Sequence, residues 1–191
     1  MPPKAKFTKE EITEAALRIV REEGIEKLTS RNLGKTLGSS ACPIFTVFSS
    51  MEEVETAALE AAKAVYKGYV ERGLTEELAF RGVGEQYIRF AVDEPRLFQL
   101  LFMGETEEAQ SFEIVLPMLE ESYDKILTSA MTYYSLDRAA AEKLYKHMWI
   151  YTHGIACLCA TKTCQFSAEE IREMLGEVFL SLLKNVKAKQ K

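Results

Sequence analysis

No stretch of this 191-residue sequence stays apolar for the roughly 18 residues that a membrane-crossing helix needs. The opening segment MPPKAKFTKEE also lacks the apolar run of a secretory signal. Both absences lead us to expect a cytoplasmic protein with no membrane partner. Cysteine is scarce: Cys157, Cys159 and Cys164 crowd one segment while Cys42 stands alone, which outlines no disulfide framework and fits reduced thiols. Alternating apolar runs bounded by hairpin turns are missing, and the five prolines are too few to break the helical periodicity that fills the chain. The expectation is an all-α fold.

Signs of catalysis are sparse too. No Gly-rich phosphate loop follows a strand, the carboxylates fall as Glu-Glu pairs near helix starts, and neither His147 nor His153 has a Ser or Cys partner in a nucleophile motif. His153 and Cys157 share helical spacing. However, Cys159 lies across the helix from Cys157 and no C-x-x-C pair occurs, so no structural zinc is expected. We therefore expect no enzyme, no cofactor and no metal.

The charge that is present is unevenly spread. Net charge is −5, yet residues 1–50 carry eight Lys/Arg against six acids, and residues 51–191 carry sixteen against twenty-three. A weakly basic module ahead of an acidic body places any nucleic-acid contact at the N-terminal end.

Several helix boundaries can be read from capping residues. Thr8 with Glu11 predicts a capping box for a first helix whose core stripe is Ile12, Ala15, Ala16, Ile19 and Val20, stopped by Gly24. Thr29 or Ser30 caps a second helix with Leu33 and Leu37 inward. Met51 to Gly73 reads as a long helix burying Val54, Ala58, Ala61, Val65 and Tyr69. Further helices are expected near Thr75 to Val92, over Pro95 to Met103, and from Thr106 to Tyr134 with a break around Pro117. Asp137 should cap a helix to about Thr161, and Ser167 with Glu170 should open the last one.

Between Thr29 and Phe48, TSRNLGKTLGSSACPIFTVF predicts two short helices around the Gly38-Ser39-Ser40 turn, the outline of a helix-turn-helix. Thr29, Ser30, Arg31 and Lys35 stand where hydroxyls and cations reach phosphate oxygens. Ser40 should cap a helix from Ala41 to Val47. There Ala41, Cys42, Pro43 and Thr46 would face the major groove, Ile44, Val47 and Phe48 would pack inward, and Phe45 could do either. That second helix carries no charge, so base reading would be apolar and shape-led.

Residues 7–54, FTKEEITEAALRIVREEGIEKLTSRNLGKTLGSSACPIFTVFSSMEEV, resemble the N-terminal domain of TetR-family transcriptional regulators. The shared features are the F-T-x-E-x-I opening, the Gly24 bend, the Thr29 cap, the turn Gly38, and Phe45 and Phe48 before S-x-E-E. The chain departs from the family at Ala41 (usually lysine or another polar residue), at Cys42 and Pro43 (a small residue then threonine), at Phe45 (tyrosine) and at Met51 (lysine). Downstream, W-x-x-x-H-G-x-x-x-L from Trp149, with YIRFAVDEPRLFQLLF before it, resembles the WHG subgroup of that family.

The resemblance implies a DNA-binding domain over residues 1–50 and a ligand-binding and dimerisation domain over residues 51–191, with the helix 51–73 connecting them. It also implies a ligand-responsive regulator, a repressor, that binds a pseudo-palindromic operator in double-stranded DNA as a homodimer through its last two helices. A small, partly apolar ligand would meet Tyr87, Phe90, Phe98, Phe102, Met103, Phe112, Tyr123, Trp149 and His153. The alternative is a helical interaction module that has lost specific DNA reading.

Overall fold

The structure, a computed structural model, describes residues 6–104 and 111–189. Among these it contains nine α-helices, two single 3-10 turns and no strand. The helices are α1 (Lys9–Glu23), α2 (Ser30–Thr36), α3 (Met51–Leu74), α4 (Ala79–Asp93), α5 (Pro95–Phe102), α6 (Phe112–Leu119), α7 (Tyr123–Tyr134), α8 (Arg138–Ala160) and α9 (Ala168–Lys189).

Four predicted caps form as expected. Glu11 N–H donates to Thr8 Oγ1 (3.1 Å) while Glu11 Oε2 accepts from Thr8 N (2.8 Å). Thr29 Oγ1 accepts from Asn32 N at 3.2 Å and Asp137 Oδ1 from Ala140 N at 2.8 Å. Ser167 and Glu170 close a second reciprocal pair. Each bond satisfies an amide that the first helical turn leaves without a partner. Removing the Thr29 oxygen with Thr29→Ala is expected to cost about 1 kcal/mol, read as a lowered urea midpoint that Thr29→Ser largely restores.

Two compact units divide the chain. The first holds the described residues up to Tyr66 together with Glu94–Gly104; the second holds Lys67–Asp93 and the described residues after Gly104. The division falls inside α3, the helix expected to connect the two domains, and α5 returns to the first unit. The reason is core size. α1 and α2 alone supply few buried side chains, so the first unit completes its core with Val54, Ala58, Ala62 and Tyr66 from α3 and with Leu97 and Phe98 from α5. α5 packs against α1, and Arg21 Nε reaches Glu94 Oε2 at 2.8 Å. In the second unit α4 packs on α8 and α7, and α8 on α9, around Phe80, Tyr87, Ile88, Ile126, Leu144 and Ile155.

Several boundaries and faces differ from expectation. α3 buries Val54, Ala58, Ala62, Tyr66 and Val70, while Ala61, Val65 and Tyr69 are only half-buried. Steps of four residues precess around a 3.6-residue helix, so the buried stripe winds instead of running straight. Thr75 to Leu78 form turns ahead of α4. Pro117 lies inside α6, and the break comes at Glu120, whose buried carboxylate accepts the amide of Ser122 at 3.0 Å. Such a local bond offers the backbone an alternative to the helix. The expected start at Thr106 lies outside the described residues.

The largest departure is the expected helix over Ala41–Val47. It is a single 3-10 turn over Ile44–Thr46, with no side chain capping it. Three of its bonds span three residues (Ile44 N to Ala41 O, Thr46 N to Pro43 O, Val47 N to Ile44 O), and one, Phe48 N to Ile44 O, spans four. Pro43 contributes no N–H and disfavours the helical region for Cys42, and Ile44, Thr46 and Val47 are stiff β-branched residues. Seven such residues do not sustain an α-helix.

Candidate functional site

The first candidate site is built by the end of α2. Gly38 takes the left-handed conformation (φ +63°) and donates to Lys35 O at 3.0 Å, while Ser39 N–H donates to Gly34 O at 2.8 Å. This paired closure turns the chain sharply back along the helix. The returning backbone passes so near α2 that a Cβ on Gly34 would lie 2.9 Å from the carbonyl carbon of Ser40 and 3.0 Å from the amide nitrogen of Ala41.

The turn leaves a surface concavity of about 560 Å³ lined by Ser30, Arg31, Lys35, Gly38, Ser39, Ser40 and Ala41. It gathers five of the predicted DNA-contact residues: Ser30, Arg31, Lys35, Ser40 and Ala41. Arg31 and Lys35 are exposed and form no ion pair among the described residues. By contrast, Lys9 is committed to Glu53 (3.5 Å) and Arg21 to Glu94 (2.8 Å).

Thr29, Cys42, Pro43, Phe45 and Thr46 do not line the concavity. Thr29 is exposed but its oxygen is engaged by Asn32. Thr46 Oγ1 donates to Pro43 O at 2.7 Å, so its proton is spent on the backbone. Phe45 is 46% exposed, and Ile44 and Phe48 are buried as expected. Ser40 faces solvent and caps nothing, because the helix it was expected to open is absent.

Sequence reading missed Lys6. Its Nζ donates to Ser39 Oγ at 3.0 Å and stands 5.2 Å from the centre of the Phe7 ring, which brings a third cation to the rim. The basic opening run KAK was the available signal. Three cations and three serine hydroxyls on one concave face form an arrangement suited to phosphate oxygens.

The second candidate site lies in the second unit. Tyr87, Phe112, Trp149 and His153 meet there: the Trp149 and His153 rings stack at 4.7 Å with 8° between planes, and Phe112 meets Trp149 edge-on at 5.4 Å. Tyr87 Oη lies 2.9 Å from His153 Nδ1, and His153 Nε2 lies 3.3 Å from Cys157 Sγ. The helical spacing of His153 and Cys157 thus becomes a contact between imidazole and thiol. Burial holds the His153 imidazole below its ordinary range and pushes the Cys157 thiol up, so both are neutral near pH 7. Tyr87 is pushed well up by burial, then by Cys157 and Glu120.

The other predicted ligand residues go elsewhere. Phe98, Phe102 and Met103 belong to the first unit, where Phe102 meets Phe98 at 5.3 Å and Tyr66 at 5.0 Å. Phe90 packs edge-on against Tyr69, and Tyr123 stacks on Tyr145. The first two of these contacts lie within the first unit and the last two within the second. Among the described residues no group of three or more His, Cys, Asp or Glu side chains could hold a metal, and no helix is long and apolar enough to cross a membrane.

No protein-family model and no curated protein matches the chain.

Proposed function

We propose that this chain is a ligand-responsive transcriptional regulator of the TetR type, a repressor, that binds a pseudo-palindromic operator in duplex DNA as a homodimer. The observation that carries this reading is the concavity at the end of α2, where Lys6, Arg31 and Lys35 surround serine hydroxyls and form no ion pair among the described residues. Phosphate contacts of this kind supply sequence-independent affinity and register. The short turn Ile44–Thr46 then meets the groove with Phe45 and few polar tips, so specificity comes from thymine methyls and DNA shape.

A single module of this size buries too little DNA for operator affinity, and pairing two across a twofold axis supplies the rest. Apolar side chains left outward on α8 and α9 support that pairing: Ile150 is 49%, Leu158 38% and Leu180 65% exposed. On α8, Gly154 lies between Ile150 and Leu158 with nothing within 4 Å of where its side chain would be. Charging this face with Ile150→Arg and Leu158→Arg is expected to convert the dimer to monomer by sedimentation velocity and to weaken DNA binding at least about tenfold.

The aromatic cluster of Tyr87, Phe112, Trp149 and His153 is the place for a small, partly apolar ligand, whose binding would favour one of two conformations and so change operator affinity. The reading is tested by selection from a random duplex library at 0.1 M salt. Recovery of A/T-rich pseudo-palindromes with half-sites about one helical turn apart supports it. Failure to enrich any duplex favours the helical interaction module, a reading to which the one-turn, uncharged segment at Ile44–Thr46 lends weight.

A further inference from the structure

Cys157, His153 and Trp149 follow one another at four-residue steps on α8, so they share a helix face. The Cys157 thiol lies 3.3 Å from His153 Nε2, and Tyr87 Oη lies 2.9 Å from Nδ1 of the same ring. A nucleophile within reach of a base, with the base oriented by a third group, is the arrangement that activates side chains for covalent chemistry. Cys157 and His153 are only half-buried, so the thiol is accessible to a small molecule. Trp149 stacked on the imidazole, with Phe112 edge-on against Trp149, puts apolar conjugated surface next to the thiol and its base, which suits an apolar, conjugated reactant.

We propose that Cys157 is a nucleophile for soft conjugated carbonyl electrophiles of the enone, quinone and maleimide class, with His153 as its base. Cys157 reaches this role without a pre-formed thiolate. Burial disfavours the protonated imidazole, and in the tautomer that carries the ring proton on Nδ1, Nδ1–H donates to Tyr87 Oη and Nε2 accepts from the Cys157 thiol. As Sγ attacks the β-carbon, the S–C bond forms and the carbon–carbon π pair moves toward the carbonyl. The thiol proton passes to Nε2 and is then returned to the α-carbon. The sum is a thioether adduct with no oxidant consumed. Tyr87 is a positioning residue, favouring the tautomer in which Nε2 accepts from the thiol.

The test uses N-ethylmaleimide at pH 7 on the 191-residue chain, with labelling rates resolved for each cysteine by peptide mass spectrometry, so its outcome is independent of DNA binding. Wild-type Cys157 is expected to label about tenfold or more faster than Cys157 in His153→Gln. Cys159 and Cys164, in the same unit, should label at unchanged rates. Free imidazole should restore part of the lost rate in His153→Ala, and Tyr87→Phe should slow Cys157 alone. If Cys157 labels equally fast or faster in His153→Gln, or if imidazole restores nothing, the proposal is overturned. A loosened fold would speed all three thiols together, the opposite of the predicted selective loss.

Discussion

Replacing Lys6, Arg31 and Lys35 together with alanine is expected to lower affinity for duplex DNA at least about a hundredfold at 0.1 M salt. Each phosphate neutralised by a cation contributes roughly 0.9 to the slope of log affinity against log salt, and the proposed dimer would present each cation twice. The salt dependence should therefore flatten by about five units in the triple variant, and equally for specific and unrelated duplexes. Stability should hardly move. Arg31 and Lys35 form no ion pair among the described residues, and Lys6 makes an exposed bond to Ser39 and a contact with the Phe7 ring. Changes at such surface sites usually stay within about 0.5 kcal/mol. Fluorescence anisotropy over a salt series, beside a thermal melt, checks both halves.

Gly34→Ala is expected to be the most damaging single-methyl change near the interface. Alanine in a helix interior is favoured over glycine by about 1 kcal/mol, so intrinsic propensity alone predicts stabilisation. Here the added methyl meets backbone at 2.9 Å (Ser40 C) and 3.0 Å (Ala41 N), atoms that no side-chain rotation can move aside. Overpacking of this kind costs roughly 1–3 kcal/mol, so the net change is a loss of about 1 kcal/mol, accompanied by displacement of the Ser39–Ala41 segment. Both stability and DNA affinity should fall. Gly84→Ala on α4 is the control: its methyl would find only Thr152 Oγ1 at 3.9 Å, and propensity should prevail there. Urea denaturation of both variants, with DNA binding measured alongside, separates the two outcomes.

The parts of the fold that could be read from sequence are those decided within one turn of chain. Thr8, Thr29, Asp137 and Ser167 cap the helices they were expected to cap, because an N-cap needs only a side-chain oxygen and an amide three residues on. Gly38 was recognisable for a similar reason, since a left-handed residue after a short helix is a local demand.

Choices settled by distant packing were not readable. In α3, Ala61 and Ala62 are the same residue type, and Val65 competes with Tyr66 and Tyr69 with Val70; which of each pair turns inward depends on what lies opposite. The predicted ligand group mixed residues of both units, because Phe98 and Phe102 stand only a few residues beyond Phe90 yet belong to a different core. The helix expected over Ala41–Val47 followed from the Gly38-Ser39-Ser40 turn and the Ser40 cap. A proline is tolerated in a first turn, but with β-branched Ile44, Thr46 and Val47 after it the segment closes only one 3-10 turn.

The candidate site divides in the same manner. Ser30, Arg31, Lys35, Ser40 and Ala41 were found because the turn that gathers them is local. Lys6 was missed because it approaches Ser39 across 33 residues of sequence. Cys157 was visible as the neighbour of His153 on a helix face but not as its hydrogen-bond partner, which also depends on Tyr87 reaching in from α4.

The proposed reading of duplex DNA by paired chains is tested most directly by a gel-shift titration of the 191-residue chain on labelled duplex flanking its own coding sequence. Unrelated duplex is added in excess. A saturable complex of two chains per duplex that survives the competitor at 0.1 M salt is expected. A chain that forms no complex, or binds the flanking DNA no better than unrelated duplex of equal length, would contradict that reading.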